Sequence, residues 1–232
     1  MIVVIYYNRV PTHLISQTQA RTKRQTMEKI MKLLQIDASP RQDSVSRQLT
    51  SHFAKNWKQQ VVGGQVVHRD LANSPLGLIT DDWIAGAFSN PAQHTTAHRS
   101  ALQYSDRLIE ELQSADIILI GDPMHNFTIS ARLKAWLDQV VRFGKTFSLG
   151  ESGAKGLLSG KKGYVFTSRG GAYEPGTPTA RFDFQEPYLR HILAFIGLTD
   201  VTFIHAENQN KPELAPAARA AAIQNIEVAV AV

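Results

Sequence analysis

The stretch Met31-Lys-Leu-Leu-Gln-Ile-Asp-Ala-Ser-Pro-Arg-Gln-Asp-Ser-Val-Ser-Arg-Gln-Leu49 decides the fold class of this chain. It has the pattern of a hydrophobic strand, a short polar loop and the first turns of a helix. Ser39, Ser44 and Ser46 place hydroxyl groups where a helix N-terminus already presents unpaired backbone N–H groups. Such a loop can bind a phosphate group without a metal ion and without a lysine. Serines in place of glycines favour a single phosphate over a pyrophosphate.

A purely structural role for these serines is the alternative. Serine and aspartate before a helix are common N-caps, and capping alone would explain an isolated match. Two further strand ends in this chain carry unusual loops, however, and their presence favours the phosphate interpretation.

The composition is that of an ordinary globular protein. The chain has 232 residues, of which 43% are apolar and 19% charged, which fits one sizeable domain. No apolar run approaches the roughly 18–20 residues that are needed to cross a bilayer. There is no cysteine, which excludes disulfides, iron–sulfur clusters and thiol chemistry. Any redox role must therefore use a bound cofactor. We also expect the protein to be cytoplasmic.

The net charge of +5 is concentrated at the N-terminus. Residues 1–30 contain five basic residues and one acidic residue, which leaves 20 basic and 19 acidic residues for the rest of the chain. Because this body is nearly neutral, we expect neither nucleic acid nor a membrane as a partner. We interpret residues 1–30 as an N-terminal extension outside the core and residues 31–232 as the folded domain, with Met31 as the functional start. A secretory signal is the less favoured alternative.

Strands and helices alternate along the chain after Met31, as judged from apolar periodicity and turn residues. The predicted strands are Leu33–Asp37, Gln65–Leu71, Asp116–Gly121, Gly163–Thr167 and Val201–His205. The predicted helices are Val45–Gln60, Thr95–Gln113, Ser130–Phe143 with Gly144 as its C-cap, Gln185–Gly197 and Glu213–Val230. We expect a long connection after the second strand and a glycine-rich loop at Gly150–Gly160.

This order of elements predicts an α/β fold with a doubly wound, five-stranded parallel sheet. The loop after the first strand lacks G-x-G-x-x-G, which weighs against a dinucleotide-binding domain. A flavodoxin-like strand order of 2-1-3-4-5 fits better, with the ligand at the carboxyl ends of strands 1, 3 and 4.

The loop after the third strand is Asp122-Pro-Met-His-Asn-Phe-Thr-Ile-Ser130. The proline turns the chain out of the sheet, so that the next residues can lay backbone N–H groups and apolar side chains along a flat heteroaromatic ring. The loop after the fourth strand, Thr167-Ser-Arg-Gly-Gly171, has two glycines that permit close backbone approach and a positive φ. Taken singly, the first loop is also compatible with an ordinary connection and the second with a simple turn.

Together the three loops resemble those of the FMN-dependent NADH azoreductase and quinone reductase family, which has a flavodoxin-like fold. The resemblance covers about residues 31–230. It rests on Pro123–Phe127, Ser168–Gly171, Gly160-Lys-Lys162 and Phe195–Asp200 with the strand that follows.

The resemblance implies three groups of FMN contacts. The phosphate would be bound by Ser39, Ser44, Val45 and Ser46; the isoalloxazine would lie along Met124, His125, Asn126 and Phe127; its other edge would face Ser168, Arg169, Gly170 and Gly171. Two positions depart from the family pattern. His125 replaces a common tyrosine, as a neutral spacer or as a group that gains charge near physiological pH. Val45 stands where a polar residue is frequent, and it retains its backbone N–H.

The resemblance also implies an activity. One FMN per subunit would pass electrons from NADH or NADPH to quinones or azo compounds in a two-electron ping-pong cycle, with no catalytic side chain required. The family works as a homodimer, and Phe147 and Leu149 are candidates for the substrate pocket.

Two other classes of protein remain as rivals: an FMN-binding electron carrier without its own substrate, and a flavin-free α/β domain. Such carriers are typically strongly acidic, and the nearly neutral body argues against one. His94 and His98 have the spacing of a shared helix face, but without a third ligand we expect no metal site. Asp81 and Asp82 indicate a helix start.

Overall fold

The computed structural model describes residues 30–151 and 153–231. The N-terminal extension expected for residues 1–30 therefore lies, apart from Ile30, outside the described residues.

Seven strands and six α-helices make up the described part of the chain, together with two short 3₁₀ turns. The strands are β1 (Lys32–Asp37), β2 (Gln65–Asp70), β3 (Ile117–Pro123), β4 (Phe147–Gly150), β5 (Gly153–Gly156), β6 (Lys162–Ser168) and β7 (Asp200–Ala206). The helices are α1 (Val45–Gln60), α2 (Asp81–Ala87), α3 (Thr96–Ser114), α4 (Ala131–Val140), α5 (Glu186–Phe195) and α6 (Ala215–Val230). The 3₁₀ turns are Pro91–Gln93 and Ala180–Phe182.

Five of the strands form one sheet in the order β2-β1-β3-β6-β7, and every pair in it is parallel. Because β6 and β7 are the fourth and fifth strands of this sheet, the predicted order 2-1-3-4-5 is confirmed. Leu33, Leu34 and Ile36 of β1 are at most 1% exposed, as expected for a strand that is covered on both faces.

Helices cover both faces of the sheet. On one face Phe53 and Trp57 of α1 pack with Phe166 of β6 and Ile226 of α6. On the other face α3, α4 and α5 supply a second buried cluster, to which Leu108, Leu133 and Leu193 contribute. Both clusters exclude water from the sheet, so its polar groups are accessible mainly at the strand ends.

Two predicted connections contain structure of their own. The expected loop Gly150–Gly160 is partly an antiparallel hairpin of β4 and β5, in which Gly153 adopts φ +102°. The expected long connection contains α2, whose N-cap Thr80 accepts a hydrogen bond from the N–H of Trp83. Asp81 and Asp82 lie in its first turn, which confirms them as a helix start.

The end of α4 was predicted wrongly. This helix stops at Val140 with Val141 as its C-cap, rather than continuing to Phe143. Gly144 does adopt φ +70°, but it does so in the turn that leads to β4 and not as a helix cap. The hydroxyl of Thr146 accepts from the N–H of Arg142 and donates to the carbonyl of Val140, which favours the turn over another helical turn.

Candidate functional site

A cavity of about 600 Å³ lies at the carboxyl ends of β1, β3 and β6, where the strand order predicts a ligand. Its volume falls within the range of about 300–1,000 Å³ that is typical of small-molecule sites. The loop after β1 and the start of α1 contribute Ser39, Pro40, Arg41, Asp43, Ser44, Val45 and Gln48. The other strand ends contribute Pro123, Met124, His125, Ser168, Arg169 and Gly170, and the chain after β7 contributes Gln209, Asn210 and Arg219.

Two serines that precede the first turn of α1, Ser39 and Ser44, form one end of the cavity. Ser44 is the N-cap, and its Oγ accepts from the N–H of Arg47 at 3.4 Å. The Oγ of Ser39 accepts from the N–H of Arg41 at 3.2 Å. Because a hydroxyl that accepts can still donate, both serines retain an O–H for an anion.

Ser46 is the most informative of these residues. Its side chain is fully buried in the first turn of α1, outside the lining of the cavity, and its Oγ has no hydrogen-bond partner within the described residues. Buried hydroxyls are rarely left without a partner. An anion that caps this helix and reaches its first turn would satisfy both the hydroxyl and the free N–H groups.

The loop after β3 is a tight two-residue turn. The backbone N–H groups of His125 and Thr128 each donate to the carbonyl of the other residue, at 3.0 and 3.1 Å. Between them Asn126 and Phe127 adopt φ +48° and +70°, in the left-handed region that L-residues usually avoid. Met124 is held against the sheet by its N–H bond to the carbonyl of Ser168, at 2.9 Å.

This turn separates the four residues that were expected along a ring. Met124 and His125 line the cavity, whereas Asn126 and Phe127 do not. Asn126 lines a shallower neighbouring cavity, which His125 also borders. Phe127 is 48% exposed, and its ring lies 5.6 Å from that of Phe182. Phe147 and Leu149, which were expected near a substrate, lie on the β4–β5 hairpin and line none of these cavities.

The loop after β6 contributes three of its four expected residues, because Gly171 lies outside the lining. Gly170 and Gly171 do not use the positive φ that glycine permits, and the close approach of a ligand to their backbone stays a prediction. Gly170 is instead approached closely by a side chain of the protein. A Cβ on Gly170 would lie 2.5 Å from the amide nitrogen of Asn210. Neither glycine N–H has a hydrogen-bond partner among the described residues, so both are available to a ligand.

The side chain of Arg169 is turned into the protein. It is 2% exposed and forms ion pairs with Asp183 at 3.1 Å and Glu207 at 3.5 Å, while its Nε donates to Gln185. Arg169 therefore fixes the neighbouring loops. Because so little of its side chain is exposed, it contributes little surface to the cavity.

Beneath the loop after β3 lies Asp122, which is completely buried. Its carboxylate accepts from the side-chain amide of Gln185 at 2.9 Å and from the backbone N–H of Ser130 at 3.3 Å. Burial raises the pKa of Asp122 to about 6, although both hydrogen bonds act in the opposite direction.

A second group of linked polar side chains, those of Thr167, His205 and Glu186, lies next to the loop after β6. His205 lies 2.7 Å from the hydroxyl of Thr167 through Nδ1 and 2.7 Å from Glu186 through Nε2. The hydrogen bond from His205 lowers the pKa of Glu186 to about 2, with a further contribution from Arg190 and with burial opposing both.

Sequence reasoning missed the polar wall formed by Gln48, Gln209, Asn210 and Arg219. Gln48 is one helical turn beyond Ser44, and this spacing was a usable signal. Gln209 and Asn210 belong to the loop after β7, which is joined to the Ser168–Gly171 loop by three backbone hydrogen bonds, and Arg219 lies in α6. No local pattern marks Arg219, whose Nε donates to the side chain of Gln209 at 2.7 Å.

No group of three histidine, cysteine, aspartate or glutamate side chains lies close enough to hold a metal ion among the residues described. His94 and His98 do not share a helix face as expected, because His94 precedes α3. No helix in the described part of the chain is long and apolar enough to cross a bilayer.

Comparison with known proteins shows the family and the fold of this chain. The family model for the flavodoxin-like fold matches residues 31–230. An FMN-dependent NADH:quinone oxidoreductase of Nostoc sp. is 51% identical over 183 residues, which cover 78% of this chain and 88% of the relative. A protein of the same description from Azotobacter vinelandii is 48% identical over 180 residues, covering 77% of this chain and 88% of that protein.

Solved structures share the architecture. The crystal structure of an azoreductase from Bacillus anthracis str. Sterne superimposes with a TM-score of 0.80 and 27% identity, covering 87% of this chain and 99% of the azoreductase.

Proposed function

This chain belongs to the flavodoxin-like family that contains the FMN-dependent NADH:quinone oxidoreductases, and from that membership we propose that it is an FMN-dependent enzyme that uses NADH to reduce quinones and azo compounds. The structural observation that carries the proposal is the buried hydroxyl of Ser46, which lacks a partner among the described residues and directly follows Ser44 and Val45, two residues that line a cavity of about 600 Å³.

The residues around the cavity fit FMN in three places. Ser39, Ser44, Val45 and Ser46 would hold the phosphate through hydroxyl and backbone N–H groups. Met124, His125, Asn126 and Phe127 would lie along the isoalloxazine, and Ser168, Arg169, Gly170 and Gly171 would face its other edge. At that edge the contacts would come from the free N–H groups of the two glycines. One FMN would bind to each subunit.

When bound, FMN supplies the chemistry that side chains lack, the transfer of two electrons with a hydride. The protein's part is to bind and orient. The paired backbone bonds of His125 and Thr128 fix the turn that would support the ring, and the ion pairs of Arg169 fix the loop opposite. Both loops rest on Asp122 and Gln185, which contact one another beneath them.

NADH and the electron acceptor would use the same open side of the cavity in turn, as in a ping-pong cycle. We propose that the protein is a homodimer in which a second subunit covers exposed aromatic side chains beside the cavity, among them Phe127, Phe182 and Phe184. The backbone N–H of Phe184 donates to the carbonyl of Phe127, so these residues form one continuous surface.

Kinetics with purified protein test the activity. Under anaerobic conditions and with FMN added, NADH should be consumed steadily only when a quinone is present, and initial rates at several fixed quinone concentrations should give parallel double-reciprocal lines. Converging lines would exclude the ping-pong order. FMN binding without any NADH oxidation would instead identify an electron carrier, and a protein that binds no FMN would contradict the whole proposal.

Substitution of Ser46 tests the phosphate site. Ser46→Ala removes a hydroxyl without a partner in the described residues, so the free energy of unfolding should not fall, whereas FMN affinity should fall about tenfold or more through loss of a charge-assisted bond. Riboflavin, which lacks the phosphate, should bind as before. Ser105→Ala is the matched control: Ser105 is equally buried but donates to the carbonyl of Gln139, so its loss should reduce stability and spare FMN binding.

A further inference from the structure

A cluster of four ionisable side chains lies beneath the loop that joins β1 to α1, outside the lining of the cavity. We call Asp37, Arg47, His68 and Asp70 the charge cluster. Asp37 and Asp70 end the neighbouring strands β1 and β2, His68 lies two residues before Asp70, and Arg47 lies in the first turn of α1. Asp37 is 1% exposed and Arg47 is 6% exposed.

The guanidinium of Arg47 holds the loop through a backbone carbonyl of the loop. Its Nε and Nη2 donate to the carbonyl of Ser39 at 3.2 and 2.7 Å, and the same guanidinium contacts the carboxylate of Asp70 and lies 3.9 Å from that of Asp37. The carbonyl of Ser39 is therefore turned towards a buried cation. Arg47 does not itself line the cavity, so it positions Ser39 without contacting a ligand there.

The net charge of the cluster depends on His68. Asp37 accepts from the hydroxyl of Thr50 at 2.7 Å and from Gln35 at 2.9 Å, and its Oδ2 lies 2.8 Å from Nε2 of His68. Two carboxylates face one guanidinium, so the cluster carries one negative charge when His68 is neutral and none when it is protonated. The side chain of His68 is 48% exposed, and it can therefore exchange its proton with solvent.

The groups that face His68 come from three elements: Asp37 on β1, Asp70 on β2 and Arg47 on α1. The hydrogen bond to Asp37 raises the pKa of His68, against opposing burial; the two carboxylates add to the rise and Arg47 opposes it. The change in charge is thus displaced upwards from the ordinary range of a histidine.

We propose that Arg47 is a positioning residue for the phosphate-binding loop, and that the charge of His68, acting through Asp37 and Arg47, sets the affinity of that loop for a phosphate monoester. This inference rests on the proposed function, because the phosphate is that of FMN. A negative cluster below the loop repels the phosphate above it, and protonation of His68 removes that repulsion. FMN binding therefore tightens as His68 gains its proton.

The proposed effect of His68 protonation on FMN affinity is tested with His68→Gln, which keeps a side-chain donor for Asp37 but cannot gain charge. Dissociation constants for FMN and riboflavin are measured by flavin fluorescence for both proteins between about pH 5.5 and 9. A phosphate monoester changes its own charge near about pH 6, and this effect cancels in the ratio of variant to parent. We expect the ratio of the FMN dissociation constants, variant to parent, to rise from about one at high pH to about three to ten at low pH. The riboflavin ratio should stay near one.

A flat FMN ratio, or a riboflavin ratio that changes in parallel, would overturn the coupling. If the parent binds neither flavin at any pH, the proposed function fails instead, so the two failures are distinguishable.

The positioning role is tested with Arg47→Lys, which keeps the charge but loses the two-pronged bond to the Ser39 carbonyl. We expect FMN affinity to fall about tenfold or more, with riboflavin affinity and the melting temperature much less affected. Arg132→Lys is the matched control, because Arg132 also donates to a backbone carbonyl, that of Leu71, but away from the phosphate-binding loop. Equal losses for FMN and riboflavin, or equal effects of the two substitutions, would contradict the role of Arg47.

Discussion

The side-chain amide of Gln185 donates to the carboxylate of Asp122 at 2.9 Å, with both residues completely buried. Gln185 precedes α5 and Asp122 lies near the end of β3, so one hydrogen bond joins segments 63 positions apart. Gln185 also accepts from Nε of Arg169, at 3.3 Å. A single glutamine thus connects the loop after β3 with the loop after β6, the two loops that would enclose a flavin ring.

The buried carboxyl of Asp122 makes stability depend on pH. Its pKa of about 6 in the folded protein exceeds the ordinary 3.8, so between these values the folded state binds more protons than the unfolded state. The free energy of unfolding should therefore fall as the pH rises from about 4 to 6, by about 3 kcal/mol for this group. Asp122→Asn cannot ionise and should lose this fall, which urea unfolding at several pH values will measure.

Asp200→Asn provides the control for this measurement, because it removes an exposed carboxyl and leaves the buried one in place. If Asp122→Asn and the parent show the same slope between about pH 4 and 6, the carboxyl of Asp122 is not the group responsible.

Glu186 should give the free energy of unfolding a pH dependence of the opposite sign. Its folded pKa of about 2 lies below the ordinary 4.5, so its contribution is present above pH 4.5 and is lost as the pH falls towards 2. Because the side chain is 22% exposed, screening by solvent leaves a contribution of about 1 kcal/mol. Glu186→Gln should lower the free energy of unfolding by that amount at neutral pH and by less near pH 2.

Glu110→Gln, on the exposed side of α3, is the control that changes charge without breaking a pair with His205. Similar losses from both substitutions would indicate an effect of net charge and not of the Glu186–His205 contact.

Removal of residues 1–30 tests the assignment of the domain. The family match begins at residue 31 and β1 begins at Lys32. We propose that the shortened protein keeps its flavin content and its quinone reduction, measured beside the full chain. A second deletion that also removes residues 31–37 should abolish folding, because it takes away β1, which pairs with both β2 and β3. A large loss of flavin from the first deletion would place residues 1–30 within the functional protein.

The sequence predicted the central elements well because their signals are local. Helix α1 was predicted with its observed bounds, since Ser44 caps it and Leu49, Phe53 and Trp57 recur at four-residue spacing. The hairpin of β4 and β5 was missed because each strand has four residues and three of the eight are glycines. Such a hairpin is formed by its packing, including the contact of Phe147 with Phe195 at 4.7 Å between ring centres.

The candidate site was predicted only in part, because only some of its residues carry a local sequence signal. Ser39 and Ser44 are recognisable because capping chemistry depends on neighbours in sequence. Asn210 reaches the cavity because the loop after β7 lies against Gly170, and Arg219 reaches it from α6, beside Gln209; both are relationships between distant segments. The left-handed backbone of Phe127 runs against the preference of its residue type, so local propensity could not indicate it.

Phe127 combines that backbone with an exposed ring, and two substitutions separate their effects. A residue with a Cβ at φ +70° costs about 1–2 kcal/mol, which glycine avoids and alanine does not. Glycine loses part of this advantage through the greater entropy of its unfolded chain. We therefore expect Phe127→Gly to be more stable than Phe127→Ala by about 0.5–1 kcal/mol, the reverse of their usual order. Urea unfolding of the two variants measures this difference, and a more stable alanine variant would show that the backbone there is not strained. Both variants lose the ring that we propose lies along the isoalloxazine, together with its contacts with Tyr173 and Phe182, so both should reduce quinones more slowly than the parent. A stable Phe127→Gly protein with impaired turnover would show that the strained phenylalanine is retained for its side chain.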